Sequence, residues 1–281
     1  MSNIFNSFLV EPILNVLLLI YHGLLFLHIP YPLGFSIIGL TIVIRLVLYP
    51  LTSSYLKTAA KMQKIAPHLS KLKEKHKSDA KKLQSETMKL YKEHGVNPAA
   101  GCLPSLLQLP IIWGLYAVLQ KVVALDPKQT VSYINGNSYF SFLHVSKPWD
   151  QNFFGVTLGQ HPSVIVSVMP LVLFVPLLTA FFQFIQSKMM LVPPPVADDA
   201  KGKKKEEKKD DFAASFQSQS LYIFPIMIGF FSYSFPIGLS LYWNTFTIFG
   251  ILQQYRIQGW GGLESWKKAL NEKIRAKNNK Q

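Results

Sequence analysis

The sequence predicts an all-α integral membrane protein: five transmembrane helices around a hydrophilic groove, an N-terminal interfacial helix and a cytoplasmic helical hairpin. Three observations carry this prediction. The 281 residues are 49% hydrophobic and only 16% charged, whereas soluble domains carry about a quarter charged residues. The charge is also segregated. Lys and Arg number 29 against 15 Asp and Glu, a net +14, yet long apolar stretches separate the basic loops, and a DNA-binding protein would not need those stretches. Finally, polar residues recur at helical spacing inside the apolar stretches, and one of them, Arg45, is charged.

Residues 1–33 form the first segment. Residues 5–28 are apolar enough to cross a bilayer, but Ser7, Glu11, Asn15 and His22 fall within about 80° on a helix and make one narrow polar stripe. The linker Ile29-Pro30-Tyr31-Pro32-Leu33 is short for a turnaround. The segment therefore reads as an amphipathic helix in the outer interface, with a sixth span as the open alternative. Five segments then offer the roughly 20 mainly apolar residues that a spanning helix needs: 34–56, 101–125, 162–187, 219–236 and 237–256. Pro104, Pro110, Pro170, Pro176 and Pro225 lie within them, which packed neighbours make tolerable in a membrane.

Between the spans, residues 57–98 read as a helical hairpin with an apolar stripe at Met62, Ile65, Leu69 and Leu72, resumed at Leu83 and Leu90. A break near Ser78-Asp79 and a stop at Gly95-Val96-Asn97-Pro98 bound its helices. Residues 126–161 form an extracytoplasmic loop, 188–218 a charged loop of low complexity, and 257–281 a basic tail. The hairpin carries eleven lysines against four acids, while the first 33 residues carry no Lys or Arg and loop 126–161 only Lys128 and Lys147. By the positive-inside rule the lysine-rich segments are cytoplasmic, which places the N-terminus outside and the C-terminus inside. No leader or transit pattern opens the sequence, so a bacterial plasma membrane is the expected location.

Arg45 stands about eleven residues from either end of its span, where a charge costs about 2.5–3.5 kcal/mol on insertion scales. No Asp or Glu lies in any of the five spans to pair with it. A hydrated internal groove is the reading that meets this cost. Thr41 lies one turn away, Gln108 adds an amide, and Thr179-Gln183-Gln186 and Ser240-Asn244-Thr247 form two polar stripes. Singly, such residues are ordinarily interhelical hydrogen bonds. Met189 and Met190 read as gap-filling or as a pliable contact for variable substrates. The single Cys102 and seven scattered histidines offer no metal set. There is no Walker A, Gly-x-Ser-x-Gly or His-Glu-x-x-His pattern, so neither an enzyme nor a cofactor is expected.

Gly34-Phe35-Ser36-Ile37-Ile38 leading to Ile44-Arg45-Leu46-Val47-Leu48-Tyr49-Pro50 resembles the first core helix of the YidC-type membrane protein insertases. Leu90 to Pro98 with Gly101-Cys102-Leu103-Pro104 and Gln108-Leu109-Pro110-Ile111, and Pro236 to Asn244, resemble two further family motifs in the correct order. The resemblance implies a five-helix core enclosing a groove open to cytoplasm and lipid, faced by Arg45 and Trp243, with Gln108, Gln183 and Gln186 as further groove candidates; Thr41, Ser240 and Asn244 are groove candidates by their spacing. The large extracytoplasmic domain and the lipoprotein cysteine of many relatives are not found. The implied function is insertion and folding of nascent membrane proteins, with ribosome, Sec translocon and membrane lipids as candidate partners. A small-molecule anion transporter with Arg45 as its site is the alternative.

Overall fold

The computed structural model describes residues 2–76, 79–96, 103–123, 127–190, 212–264 and 266. The junction at 97–102, the charged segment 191–211 and the tail 267–281 lie outside the described residues. Among the described residues nine main helices follow in order: α1 Glu11–Phe26, α2 Pro32–Val47, α3 Tyr49–Lys75, α4 Ala80–Glu93, α5 Leu103–Val123, α6 Pro127–Asn137, α7 Phe174–Met190, α8 Phe212–Ser234 and α9 Ile237–Gln258. They belong to two compact units, one of Met1–Tyr49, Pro104–Gln183 and Pro225–Phe249, the other of Pro50–Leu103, Phe184–Phe224 and Gly250–Gln281.

In the first unit, Val10 just before α1 and Ile13, Leu14, Leu17, Leu18 and Tyr21 of α1 are buried in a core shared with Leu33, Ile37 and Leu40 of α2 and Leu115, Val118, Leu119 and Val122 of α5. The linker between α1 and α2 turns the chain with two left-handed residues, His28 (φ 54°) and Tyr31 (φ 55°). Two residues of the polar stripe of α1 bond to distant backbone. Asn15 donates from Nδ2 to the carbonyl of Asn137 (3.0 Å) and accepts from the N–H of Tyr139 (2.6 Å). His22 Nε2 lies 3.1 Å from the carbonyl of Leu143. The stripe receives the loop that follows α6, and the helical stretch Asn6–Phe26 is long and apolar enough to cross a membrane.

That loop is itself folded. Asn135 brackets Val145 with two hydrogen bonds, accepting at 2.8 Å and donating at 3.0 Å. Asn152–Phe153 pairs antiparallel with Val156–Thr157 across Phe154-Gly155, whose positive φ values (49° and 86°) match the twist of a tight hairpin. Trp149 stacks on Tyr21 with ring centroids 4.9 Å apart. The carbonyls of Gln160 and Leu158 accept from the N–H groups of Ile237 (2.9 Å) and Gly238 (2.8 Å), satisfying first-turn donors of α9 that have no partner within the helix.

The stretch 162–187 is not one continuous helix. A turn at Pro162–Ile165 is followed by a 3₁₀ turn at Pro170–Leu173 before α7 begins. Met169, preceding a proline, is pushed out of the α region (φ −130°, ψ 82°). Pro110 and Pro225, by contrast, lie inside α5 and α8. By length and apolarity Pro170–Met190 also qualifies as a span, α2 with α3 through Leu72 qualifies as a pair, and Leu221–Ser234 is a shorter apolar helix, among the described residues.

In the second unit, α3 and α4 lie together, with the ring centroids of His68 and His94 6.2 Å apart. Ile65 is buried, Met62, Leu69, Leu72, Leu83 and Leu90 are half-buried, and Lys61, Lys64, Lys71 and Lys75 are exposed. Asp79 caps α4 by accepting from the N–H of Lys82 (2.9 Å), and Gly95 (φ 59°) ends it. Tyr55 and Gln63 of α3 bond to Met190. Met189 is fully buried, which favours gap-filling for this side chain.

Candidate functional site

Arg45 enters the interior of the first unit with its neighbours on that face of α2, Ile37 and Thr41, both fully buried. Arg45 is 5% exposed. Its Nε donates to the carbonyl of Phe246 at 3.0 Å, and Nη2 donates to the same oxygen. The guanidinium carbon lies 3.4 Å from the centroid of the Phe246 ring and 5.9 Å from that of Phe249. A cation over an aromatic face is attracted by the ring quadrupole, the more so away from water. The charge is therefore met by a carbonyl dipole and two π faces on α9.

Phe246 belongs to a face of α9 that also presents Tyr242, one turn earlier, with ring centroids 5.8 Å apart. Tyr242 is fully buried, and its hydroxyl accepts from Nε2 of Gln108 at 2.6 Å. Arg45 and Gln108 are thus joined through Tyr242 and Phe246, two residues that the sequence reading did not single out. Aromatic side chains in an apolar span look like core, and only the 242/246 spacing marks a shared face. Thr41 lies on the Arg45 face but turns its hydroxyl to its own helix, donating to the carbonyl of Ile37 at 2.6 Å.

Ser240 sits elsewhere, in a buried chain of hydroxyls. Thr179 Oγ1 lies 3.1 Å from Ser232 Oγ, which lies 2.8 Å from Ser240 Oγ. This chain ties α7, α8 and α9 together and satisfies its members internally, the pattern of interhelical glue. Trp243 is buried and stacks on Phe231, centroids 6.5 Å apart and rings inclined by 22°. Asn244 is half-buried, and its Oδ1 has no hydrogen-bond partner among the described residues. Gln183 is half-buried on α7 in the first unit, whereas Gln186, also half-buried, belongs to the second. Of the eight candidates, Arg45 and Gln108 meet neighbouring residues of α9, Thr41 is buried and bonds to its own helix, and Ser240 joins the separate hydroxyl chain. Among the described residues no cluster of three or more His, Cys, Asp or Glu could hold a metal.

The chain as a whole resembles known proteins. The family model described as 60Kd inner membrane protein matches residues 25–261. A membrane protein insertase YidC of Fusobacterium nucleatum is 33% identical over 224 residues, covering 80% of this chain and 85% of the relative. The membrane protein insertase MisCA of Bacillus subtilis is 32% identical over 230 residues, covering 80% and 70%. ALBINO3-like protein 1, chloroplastic, of Arabidopsis thaliana is 30% identical over 272 residues, covering 91% of this chain but 48% of its own length. A crystal structure of an active YidC insertase with its first transmembrane domain resolved superposes with a TM-score of 0.52 at 23% identity, covering 84% of this chain and 45% of that one. The chain thus spans about half the length of that plant relative and of the solved structure.

Proposed function

The chain belongs to the 60Kd inner membrane protein family, the YidC-type insertases, and we propose that it inserts nascent membrane proteins into the bilayer and assists their folding. The observation that carries the mechanism is the buried Arg45 guanidinium, held by the carbonyl and ring of Phe246. Two of its N–H groups share one acceptor, so the remaining donors stand ready for an incoming polar group. In this reading five helices surround a groove open to cytoplasm and lipid. A substrate's polar or acidic outer segment enters it, and Arg45 with Gln108 replaces part of the lost hydration. The apolar segment meanwhile slides out along the lipid side. Burial of that segment drives the process, and the membrane potential adds to it for acidic groups. No catalytic step is required.

The lysine-rich hairpin lies on the cytoplasmic side by the charge rule. We assign the protein to a bacterial plasma membrane, with nascent chains as substrates and ribosome, Sec translocon and lipids as partners. The test is depletion of the protein while following insertion of a small single- or double-spanning substrate. Insertion falls if the proposal is right. Unchanged insertion with loss of a solute flux would instead favour an anion transporter built on Arg45.

A further inference from the structure

Two apolar helices, α1 and α2, meet at a turn that runs through the left-handed residues His28 and Tyr31. Irregular backbone is not tolerated against lipid tails, so in a bilayer this turn marks the level of the membrane surface. Two projections of the folded loop 138–161 stand beside it, all within the first unit.

The first projection is the 3₁₀ turn Ser141–Leu143. It is pinned on both sides. The N–H of Tyr139 donates to Asn15 Oδ1 at 2.6 Å, and the carbonyl of Leu143 lies 3.1 Å from His22 Nε2. Leu143 is buried, whereas Phe140 and Phe142 are 57% and 65% exposed. Their rings stack on each other with centroids 5.4 Å apart. Phe26, one turn beyond His22 on α1, is 83% exposed and extends the same apolar surface. The second projection is the tip of the hairpin formed by Asn152–Phe153 and Val156–Thr157. There Phe154 is 69% exposed and leans on Tyr31 of the turn, ring centroids 4.8 Å apart.

Exposed apolar rings held on a folded loop call for a covering partner. Residues 129–146 contain no Asp, Glu, Lys or Arg. The first projection therefore offers an anionic headgroup no ionic contact, and it lacks the polar rim of a protein interface. Its surface is continuous instead with Phe26 at the end of a helical stretch long and apolar enough to cross a membrane. Phenyl rings at that level settle at the boundary between headgroups and acyl chains, as the apolar face of an interfacial helix does.

We propose that the loop after α6 is a membrane anchor rather than an aqueous connection: Phe140, Phe142 and Phe154 enter the outer leaflet around the α1–α2 turn. The partner is the lipid surface itself, with no headgroup selected. The proposal rests on the membrane-embedded, outward-facing reading above but not on insertion activity.

The test places the photoreactive amino acid p-benzoylphenylalanine at Phe142 or at Phe154 of the full chain in native membranes. The exposed Lys147, substituted in the same way, is the comparison, and melting temperatures confirm that each variant folds. After irradiation, mass spectrometry of the intact protein identifies the adducts. Lipid adducts are expected several-fold more often at 142 and 154 than at 147. Adducts mainly with a second copy of this chain or with another protein would overturn the proposal, and so would lipid adducts no more frequent than at 147. The leaflet is read separately from Lys147→Cys combined with Cys102→Ser, treated in spheroplasts with a membrane-impermeant maleimide. Labelling without lysis is expected. Labelling only after lysis would overturn the outer placement. Neither readout uses a substrate, so both stand apart from any loss of insertion.

Discussion

The guanidinium of Arg45 and the ring of Phe246 stack at 3.4 Å, and the same Phe246 supplies the carbonyl that Arg45 Nε reaches at 3.0 Å. One residue of α9 thus holds an arginine of α2 by backbone and side chain together. Phe246→Leu keeps the carbonyl and removes the π face. It should destabilise the protein by about 1–2 kcal/mol, the worth of a desolvated cation–π contact, read as a lower melting temperature in detergent.

Gln108 and Tyr242 share a hydrogen bond of 2.6 Å in the same interior. A double-mutant cycle with Gln108→Leu and Tyr242→Phe should give a coupling energy of about 0.5–1.5 kcal/mol, the usual net value of such a bond. Strictly additive losses in thermal unfolding would show that the two side chains act independently.

The hydroxyl chain of Thr179, Ser232 and Ser240 is closed on itself. Ser240→Ala should cost about 0.6 kcal/mol, the average for interhelical hydrogen bonds in membranes, and leave insertion near the wild-type rate. A large loss of insertion with unchanged stability would place Ser240 on the substrate path.

Asn15 bridges α1 to the loop after α6 through Asn137 and Tyr139. Asn15→Leu leaves the carbonyl of Asn137 and the N–H of Tyr139 without this partner, at about 1–3 kcal/mol for buried groups. Limited proteolysis should then cut within 138–161 several-fold faster than in the wild type.

The residues differ in how plainly they announce themselves. Arg45 is legible because a charge in an apolar span has a known cost, and Gln108 because an amide there needs a partner. Tyr242 and Phe246 are not, since an aromatic ring in such a span is ordinarily packing. The hairpin of α3 and α4 follows from its stripe of Met62, Ile65, Leu69 and Leu72, a short-range pattern. The fold of 127–161 rests on long-range bonds such as Asn15 to Tyr139 and Gln160 to Ile237, which no local periodicity encodes. For the same reason the stripe on α1 does not announce that Asn15 and His22 reach carbonyls more than a hundred residues away. Pro170 and Pro110 look alike in sequence. Only the first breaks its helix.

The central claim is that Arg45 acts on a passing chain. The most direct measurement is insertion of a single-spanning substrate into vesicles holding wild type or Arg45→Ala, read as the protease-protected fragment, with an acidic and then a neutral outer segment. Circular dichroism and melting temperature establish that the variant is folded. The account predicts that Arg45→Ala loses most insertion of the acidic substrate, that Arg45→Lys recovers part of it because the charge remains without the fork, and that the neutral substrate is affected less. Wild-type insertion of both substrates by folded Arg45→Ala would contradict it.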